Sequence, residues 1–131
     1  MAYLLDTHIV LWALDEEFRL SKSAREIILN LDSECYASVI SFFEMAIKKK
    51  TGKLELAKSI SEYIFETQRI GIKLLSITPS YLDDYQTIPL HSDHRDPFDR
   101  IIIATAYTEN LIIITADEKF RKYSELVDIL W

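Results

Sequence analysis

Two glycines, three prolines and one cysteine are all that these residue types contribute to 131 residues. With so little glycine and proline there is no low-complexity tract and no linker, and with no internal repeat residues 1–131 read as a single domain. A lone Cys35 excludes an internal disulfide and fits a reducing cytoplasm, where it reads as core within the strand-like ECYASVI. No apolar run reaches the roughly 20 residues of a membrane span. The opening MAYLLDTHIVLWALDEE lacks the basic flank of a secretory signal, and Asp6 interrupts its apolar run, so it reads as a folded element. Positive charge is also in short supply: 15 Lys and Arg stand against 21 Asp and Glu, a formal net charge of −6. A surface built throughout to hold polyanions is thereby excluded, and any nucleic acid must be met through local patches.

Apolar residues make up 49% of the chain, enough for a core without disulfide or metal staples. Short β-branched and aliphatic runs at 2–6, 34–40, 72–77, 111–116 and, more weakly, 126–130 predict strands buried on both faces, because their apolar residues run on without alternation. Helical patterns lie between them: Thr7 to Leu14, the SKSAREIILNL stretch after Ser21, SFFEMAIKKK after Ser41, about Ala57 to Ile70, a short segment after Thr78-Pro79, and Pro97 to Glu109. Such alternation predicts an α/β domain with a mostly parallel sheet and helices on both sides. Gly52, Gly71 and Asn110 each fall just past a helical run, where a left-handed cap is needed.

In His94 to Ala106, HRDPFDRIIIATA, the local rules place Asp96 at the N-cap, Pro97 at the first helical position and Asp99 at N3, where the helix dipole favours a carboxylate. Other acids take comparable positions. Asp6 ends the first predicted strand, Asp117 ends the fourth, and Glu44 falls in the first turn of the helix after the second. Strand carboxyl ends and helix amino ends open onto the same edge of a parallel sheet, so Asp6, Glu44, Asp99 and Asp117 can converge. Each also has a plain reading: Ser41 to Glu44 has the form of a capping box, and the three aspartates can each cap or lead a helix. Together the plain readings weaken, since carboxylates about 4 Å apart repel by ~4 kcal/mol per pair at an effective dielectric near 20. Protonation or a divalent cation must offset that. Oxygen donors without a Cys/His cluster favour Mg²⁺, with Mn²⁺ as a substitute, and an acid-walled Mg²⁺ site with open water positions is suited to hydrolysing phosphodiesters.

Around these acids, Thr7 and Thr115 are placed to hold metal-bound waters, and Arg100 either pairs with an acid or contacts a phosphate. His8, His91 and His94 do not form a ligand set by spacing and receive no catalytic role. The one strong basic cluster is Lys48 to Lys58, in which Lys48, Lys49, Lys50 and Lys53 are the substrate-binding candidates; Arg69, Lys73, Arg95 and Arg100 extend it. The plain reading of that cluster is a solvated helix end complementing the dipole.

The blocks LLDTHIVLWAL, SxxSFFEMAIKKKTGKL, HRDPFDRIIIATA and IITADEKFRKY resemble, in order and spacing and over nearly the whole chain, the PIN-domain ribonucleases of the VapC type, toxins of bacterial and archaeal toxin–antitoxin pairs. The resemblance implies an α/β/α sandwich around a five-stranded parallel sheet. It also implies Mg²⁺-dependent endoribonuclease activity, homodimerisation, and inhibition by an antitoxin that inserts a segment into the active-site groove. The family's four acids fall on Asp6, Glu44, Asp99 and Asp117, with Asp6, Asp99 and Asp117 as metal ligands. Asp96 matches an additional acid of the HRDPFDR subgroup and either touches metal or only caps its helix. Phe43 departs from the tryptophan often found before the second acid, which bears on packing.

Three other readings fit less well. A phosphoacceptor receiver domain needs paired acids after the first strand and a lysine ending the last, whereas Thr7 and His8 follow Asp6 and LVDILW carries no lysine. A haloacid-dehalogenase phosphatase needs an aspartate where His8 stands. A catalytically silent binding module on the same fold is the remaining alternative, disfavoured by the presence of all four matched acids.

Overall fold

The computed structural model describes residues 1–131. Strands β1 (Ala2–Leu5), β2 (Glu34–Ser38), β3 (Lys73–Leu75), β4 (Ile112–Ile114) and β5 (Ile129–Leu130) form one sheet in the order β3-β2-β1-β4-β5. Every pairing is parallel, with Leu4 opposite Tyr36 on one side and Ile113 on the other. The helices are α1 (Thr7–Asp15), α2 (Lys22–Leu29), α3 (Val39–Lys50), α4 (Ile60–Arg69), α5 (Pro79–Tyr85) and α6 (Pro97–Glu109), with 3₁₀ turns at Glu17–Arg19 and Glu118–Tyr123. The α/β/α sandwich expected from the sequence is thus observed, and the sheet is wholly rather than mostly parallel. No helix is long and apolar enough to cross a membrane.

Strand residues are shared alternately between two cores, as the two-residue pleat requires. Leu5, Cys35, Ala37 and Ile114 join Ile9, Ala24, Phe42, Met45 and Tyr63 from α1 to α4 on one face. Leu4 and Ile113 join Tyr81 and the run Ile101 to Ala104 from α5 and α6, together with Phe120 and Tyr123, on the other. Each large aliphatic side chain so buried stabilises the fold by about 1.5–3 kcal/mol relative to exposure. Burial on both faces explains the unalternating strands. Cys35 is core, as expected, and burial pushes its thiol up to about 11.

Local chemistry sets most element ends. Asp96 accepts from the Phe98 N–H with Pro97 at the start of α6, and Asn110 ends that helix at φ 56°. Gly52 and Gly71 hold the left-handed positions expected of them, at φ 76° and 95°. Strands β3, β4 and β5 are shorter than the sequence reading expects, and two helix starts also differ from it. Strand β2 stops at Ser38, because the Ser38 hydroxyl accepts from the Ile40 N–H and starts α3 there, so residues 39 and 40 are helical. Ser41 is therefore inside α3 and is no N-cap, and Glu44 lies in its second turn rather than its first. The helix expected from about Ala57 starts at Ile60, because Ser59 and Glu62 close a reciprocal capping box.

The strand order has a consequence for function. The chain builds outward from β1 through β2 to β3, then returns to lay β4 and β5 on the other side of β1. The order reverses between β1 and β4, and a crevice opens there beyond the strand carboxyl ends.

Candidate active site

At that crevice the structure places a cleft of about 270 Å³ lined by Asp6, His8, Glu44, Lys48, Asp93, His94, Arg95, Asp96, Asp99, Asp117 and Lys119, without a single apolar side chain. The four acids singled out in the sequence all line it, and they come from four separate segments. Asp6 follows β1 and caps α1, one carboxylate oxygen accepting from the Thr7 N–H at 2.7 Å and the other from the Thr115 hydroxyl at 2.8 Å. Asp117, three residues past β4, caps the 3₁₀ turn through the Lys119 N–H at 2.9 Å. Asp99 occupies the first turn of α6. The capping and site readings of these aspartates are therefore compatible: the cap fixes the backbone that aims each carboxylate at the cleft.

Glu44 reaches the cleft by another route. The capping box assigned to it is absent, since the helix begins two residues before Ser41. Instead Glu44 accepts from the Thr7 hydroxyl at 2.8 Å and pairs with Lys48 at 2.8 Å, one turn along α3. Burial pulls the Lys48 ammonium down, but its bond to Glu44, with the charges of Asp96 and Asp99 beyond, outweighs this and leaves it raised. Thr7 and Thr115 thus donate directly to two of the acids, and the Ser41 hydroxyl lies 2.9 Å from that of Thr7.

The electrostatics are those of an acidic cluster only partly offset by cations. Six carboxylates face three cationic side chains along the cleft lining. Burial, followed by the negative charges of Asp6, Asp96, Glu44 and Asp117, drives Asp99 up to about 8. Asp6 is raised as well, mainly by burial, against the Thr115 and Thr7 bonds that lower it. No group of three or more His, Cys, Asp or Glu side chains is gathered closely enough to hold a metal ion as it stands. The all-oxygen donors, their mutual repulsion and the open polar cleft nevertheless fit a hard divalent cation that keeps several of its waters. Asp6, Asp99 and Asp117, the three acids expected as ligands, all lie on that lining, as does Asp96.

The model of the PIN domain family matches residues 3–126. The chain belongs to the PIN-domain family. It is 31% identical over 120 residues to Ribonuclease VapC22 of Mycobacterium tuberculosis, covering 92% of this chain and 90% of that one. Among solved structures it resembles VapBC2 of Rickettsia felis bound to a promoter DNA fragment, with TM-score 0.66, 16% identity and coverage of 99% and 98% of the two chains. It also resembles a toxin–antitoxin complex from Klebsiella pneumoniae, with TM-score 0.64, 18% identity and coverage of 99% and 97%. The family resemblance stated from the four sequence blocks is borne out.

Two sequence assignments do not survive in this PIN-domain structure. Arg100 does not face the cleft: it is buried, stacks 5.1 Å over the Tyr85 ring, and donates to the Pro89 and Ile88 carbonyls at 2.8 and 2.9 Å. At N4 of α6 its side chain points a full helical step away from Asp99, so it secures the loop after α5 instead of a phosphate or an acid. The basic cluster also divides. Lys48 lines the cleft, whereas Lys49 bonds the Lys58 carbonyl, Lys58 pairs with Asp15, and Lys50 and Lys53 are exposed outside the cleft lining. Arg95 and Lys119 supply the other cations.

The sequence reading passed over His94, which is buried in the cleft wall with Nε2 2.9 Å from Asp99 Oδ2 and Nδ1 3.0 Å from the Tyr123 hydroxyl. Its spacing to the acids carries no metal-ligand pattern. The available signal was its position five residues before Asp99 and immediately before the N-terminal turn of the same helix.

Proposed function

We propose that this chain, acting as one nuclease unit over residues 1–131, is a divalent-metal-dependent endoribonuclease and the toxin of a type II toxin–antitoxin pair in the cytoplasm. The observation that carries the reading is the convergence of Asp6, Glu44, Asp99 and Asp117 on one wholly polar cleft, with Asp99 driven up by burial and then by its acidic neighbours. The curated ribonuclease relative supports the reaction class, and the toxin–antitoxin neighbour supports the biological setting. Asp6, Asp99 and Asp117 would hold Mg²⁺, or Mn²⁺ in its place, and Asp96 adds negative charge beside them. When bound, the ion supplies Lewis-acid polarisation of the phosphodiester and a water of lowered pKa.

The chain's own residues do the rest. Thr115 and Thr7 hydroxyls fix Asp6 and Glu44 by direct donation, so neither carboxylate must reorient on binding. Glu44, held by Thr7 and Lys48, orients the attacking water, whose oxygen bonds to phosphorus as the P–O bond to the leaving ribose oxygen breaks. Protons released from the water pass to the leaving oxygen and to solvent. Lys48, Arg95 and Lys119 on the cleft wall face the phosphate backbone and set the polarity of entry.

The partner assignments rest on surface chemistry. The acidic cleft suits a basic antitoxin segment lying across it. A stripe along α3, Val39 at 37%, Phe43 at 57% and Ile47 at 37% exposure, stands beside the cleft, with Phe43 edge-on to Phe98 at 5.9 Å, and would be covered in a homodimer. The test incubates the purified chain with RNA under EDTA, Mg²⁺ and Mn²⁺. Cleavage that requires the ion and disappears in Asp99→Asn is expected; ion-independent cleavage, or none by the folded wild type, overturns the proposal.

A further inference from the structure

His94 occupies a position that neither the family match nor the four acids account for. Its ring nitrogens are both engaged, Nε2 by Asp99 Oδ2 at 2.9 Å and Nδ1 by the Tyr123 hydroxyl at 3.0 Å. The ring is also wedged against two aromatics, with centroids 5.8 Å from Phe120 and 5.4 Å from Tyr123. Phe120 and Tyr123 belong to the 3₁₀ turn that Asp117 caps. One ring therefore ties Asp99, on the helix before β4, to the segment after β4 that carries Asp117.

The two hydrogen bonds are not independent. A neutral imidazole has one donor and one acceptor nitrogen. With a cation holding Asp99 ionised, the carboxylate only accepts, so Nε2 must carry the proton, Nδ1 must accept, and the Tyr123 hydroxyl must donate to it. A line of donation then runs from Tyr123 through His94 to Asp99 Oδ2. No other hydrogen bond reaches the Asp99 side chain, which leaves Oδ1 for the cleft. The loop that presents His94 is fixed at its start by Arg100, through the Ile88 and Pro89 carbonyls, and near its end by the bond from the His94 N–H to the His91 carbonyl at 3.1 Å.

We infer that His94 is a positioning residue for the metal centre: held in its Nε2–H tautomer by Tyr123, it fixes which oxygen of Asp99 faces the cation. This rests on the metal-dependent reading above. A buried histidine with both nitrogens satisfied is also an ordinary core residue, so the test must separate the N–H donor from the ring's bulk.

Mn²⁺ binding to the full-length metal-free chain is measured by titration calorimetry for wild type, His94→Ala, His94→Gln and Tyr123→Phe, with far-UV circular dichroism reporting the fold. Loss of a hydrogen bond to a ligating carboxylate weakens metal binding by roughly 10–100-fold, and that is expected of His94→Ala. His94→Gln, which keeps an N–H donor, should recover most of the loss. Tyr123→Phe, which keeps the aromatic packing, should fall between. Should His94→Ala not fold, Tyr123→Phe and the ¹⁵N shifts of the His94 ring in the Mg²⁺-loaded wild type decide the matter: a protonated Nε2 supports the inference and a protonated Nδ1 overturns it. Folded His94→Ala binding Mn²⁺ as wild type does, or His94→Gln as weak as His94→Ala, also overturns it. Wild type that binds no Mn²⁺ overturns the proposed function itself, a result distinguishable from the others because it precedes any substitution.

Discussion

Leu4 and Ile113 on one face of the sheet, and Leu5 and Ile114 on the other, are buried among apolar side chains, whereas the next residues along the same two strands bury Asp6 and Thr115. The faces hold the molecule together. The carboxyl edge does the reverse, collecting acids whose repulsion and burial work against folding. One chain thus keeps stability and chemistry within a single residue of each other, and the comparison teaches that the edge tolerates its cost because the faces supply the surplus.

The sharpest challenge to this division lies within α6. Asp99→Asn should reduce RNA cleavage by ~10³-fold or more, about 4 kcal/mol of barrier, while the far-UV circular dichroism stays unchanged; cleavage at the wild-type rate breaks the assignment. Four residues on, Ile103→Ala should do the opposite. It empties a fully buried site on the second core and should cost roughly 2–5 kcal/mol in denaturant unfolding, with cleavage per folded molecule nearly intact.

The cost of the edge can be read by varying pH without metal. Folded Asp99 is raised from 3.8 to about 8, so between those values the native state holds a proton that the unfolded chain has released. Stability must therefore fall as pH rises through that window, and the raised Asp6 acts in the same direction. Urea unfolding of the metal-free wild type should show lower stability at pH 8 than at pH 5. Asp99→Asn should flatten that slope, and Mn²⁺ should restore stability at pH 8 in proportion to occupancy. A stability that climbs with pH would contradict the crowding of acids described here.

Arg100→Met tests a residue that borders both regions. Losing the guanidinium leaves the Ile88 and Pro89 carbonyls without their donor, at a cost of roughly 1–3 kcal/mol, and thermal melting should report it. The smallest effect belongs to the outer lysines. Lys50→Ala with Lys53→Ala should change stability by less than about 0.5 kcal/mol and leave the salt dependence of RNA binding nearly as shallow as before, since few phosphate contacts set it. A steep slope measured by filter binding would require more cations at the cleft than Lys48, Arg95 and Lys119.

Much of this was legible in the residues themselves. Asp96, Pro97 and Asn110 bound α6 where local rules place them, because a cap and its partner lie within four residues and need no tertiary context. The same rules misplaced the start of α3: Ser38 and Ser41 both fit an N-cap, and only the end of β2 pairing at Ser38 decides between them. Arg100 and His94 were misread for a common reason. The partners of Arg100 lie 11 and 12 residues away and the Tyr123 partner of His94 lies 29 away, beyond the reach of local spacing, which offered only the five-residue step from His94 to Asp99.

By itself, then, the sequence determined the succession of parallel strands and crossover helices, the caps, and the identity of the acids at the strand and helix ends, since these follow from hydrophobic period and short-range hydrogen bonding. Only the tertiary structure decided that Thr115 holds Asp6, that Thr7 holds Glu44, that Lys48 alone of its cluster enters the cleft, and that His94 and not Arg100 stands behind Asp99. Those pairings join residues up to 109 positions apart. Their distances are set by the sheet order and by the two cores packed against it, and no pattern along the chain encodes them.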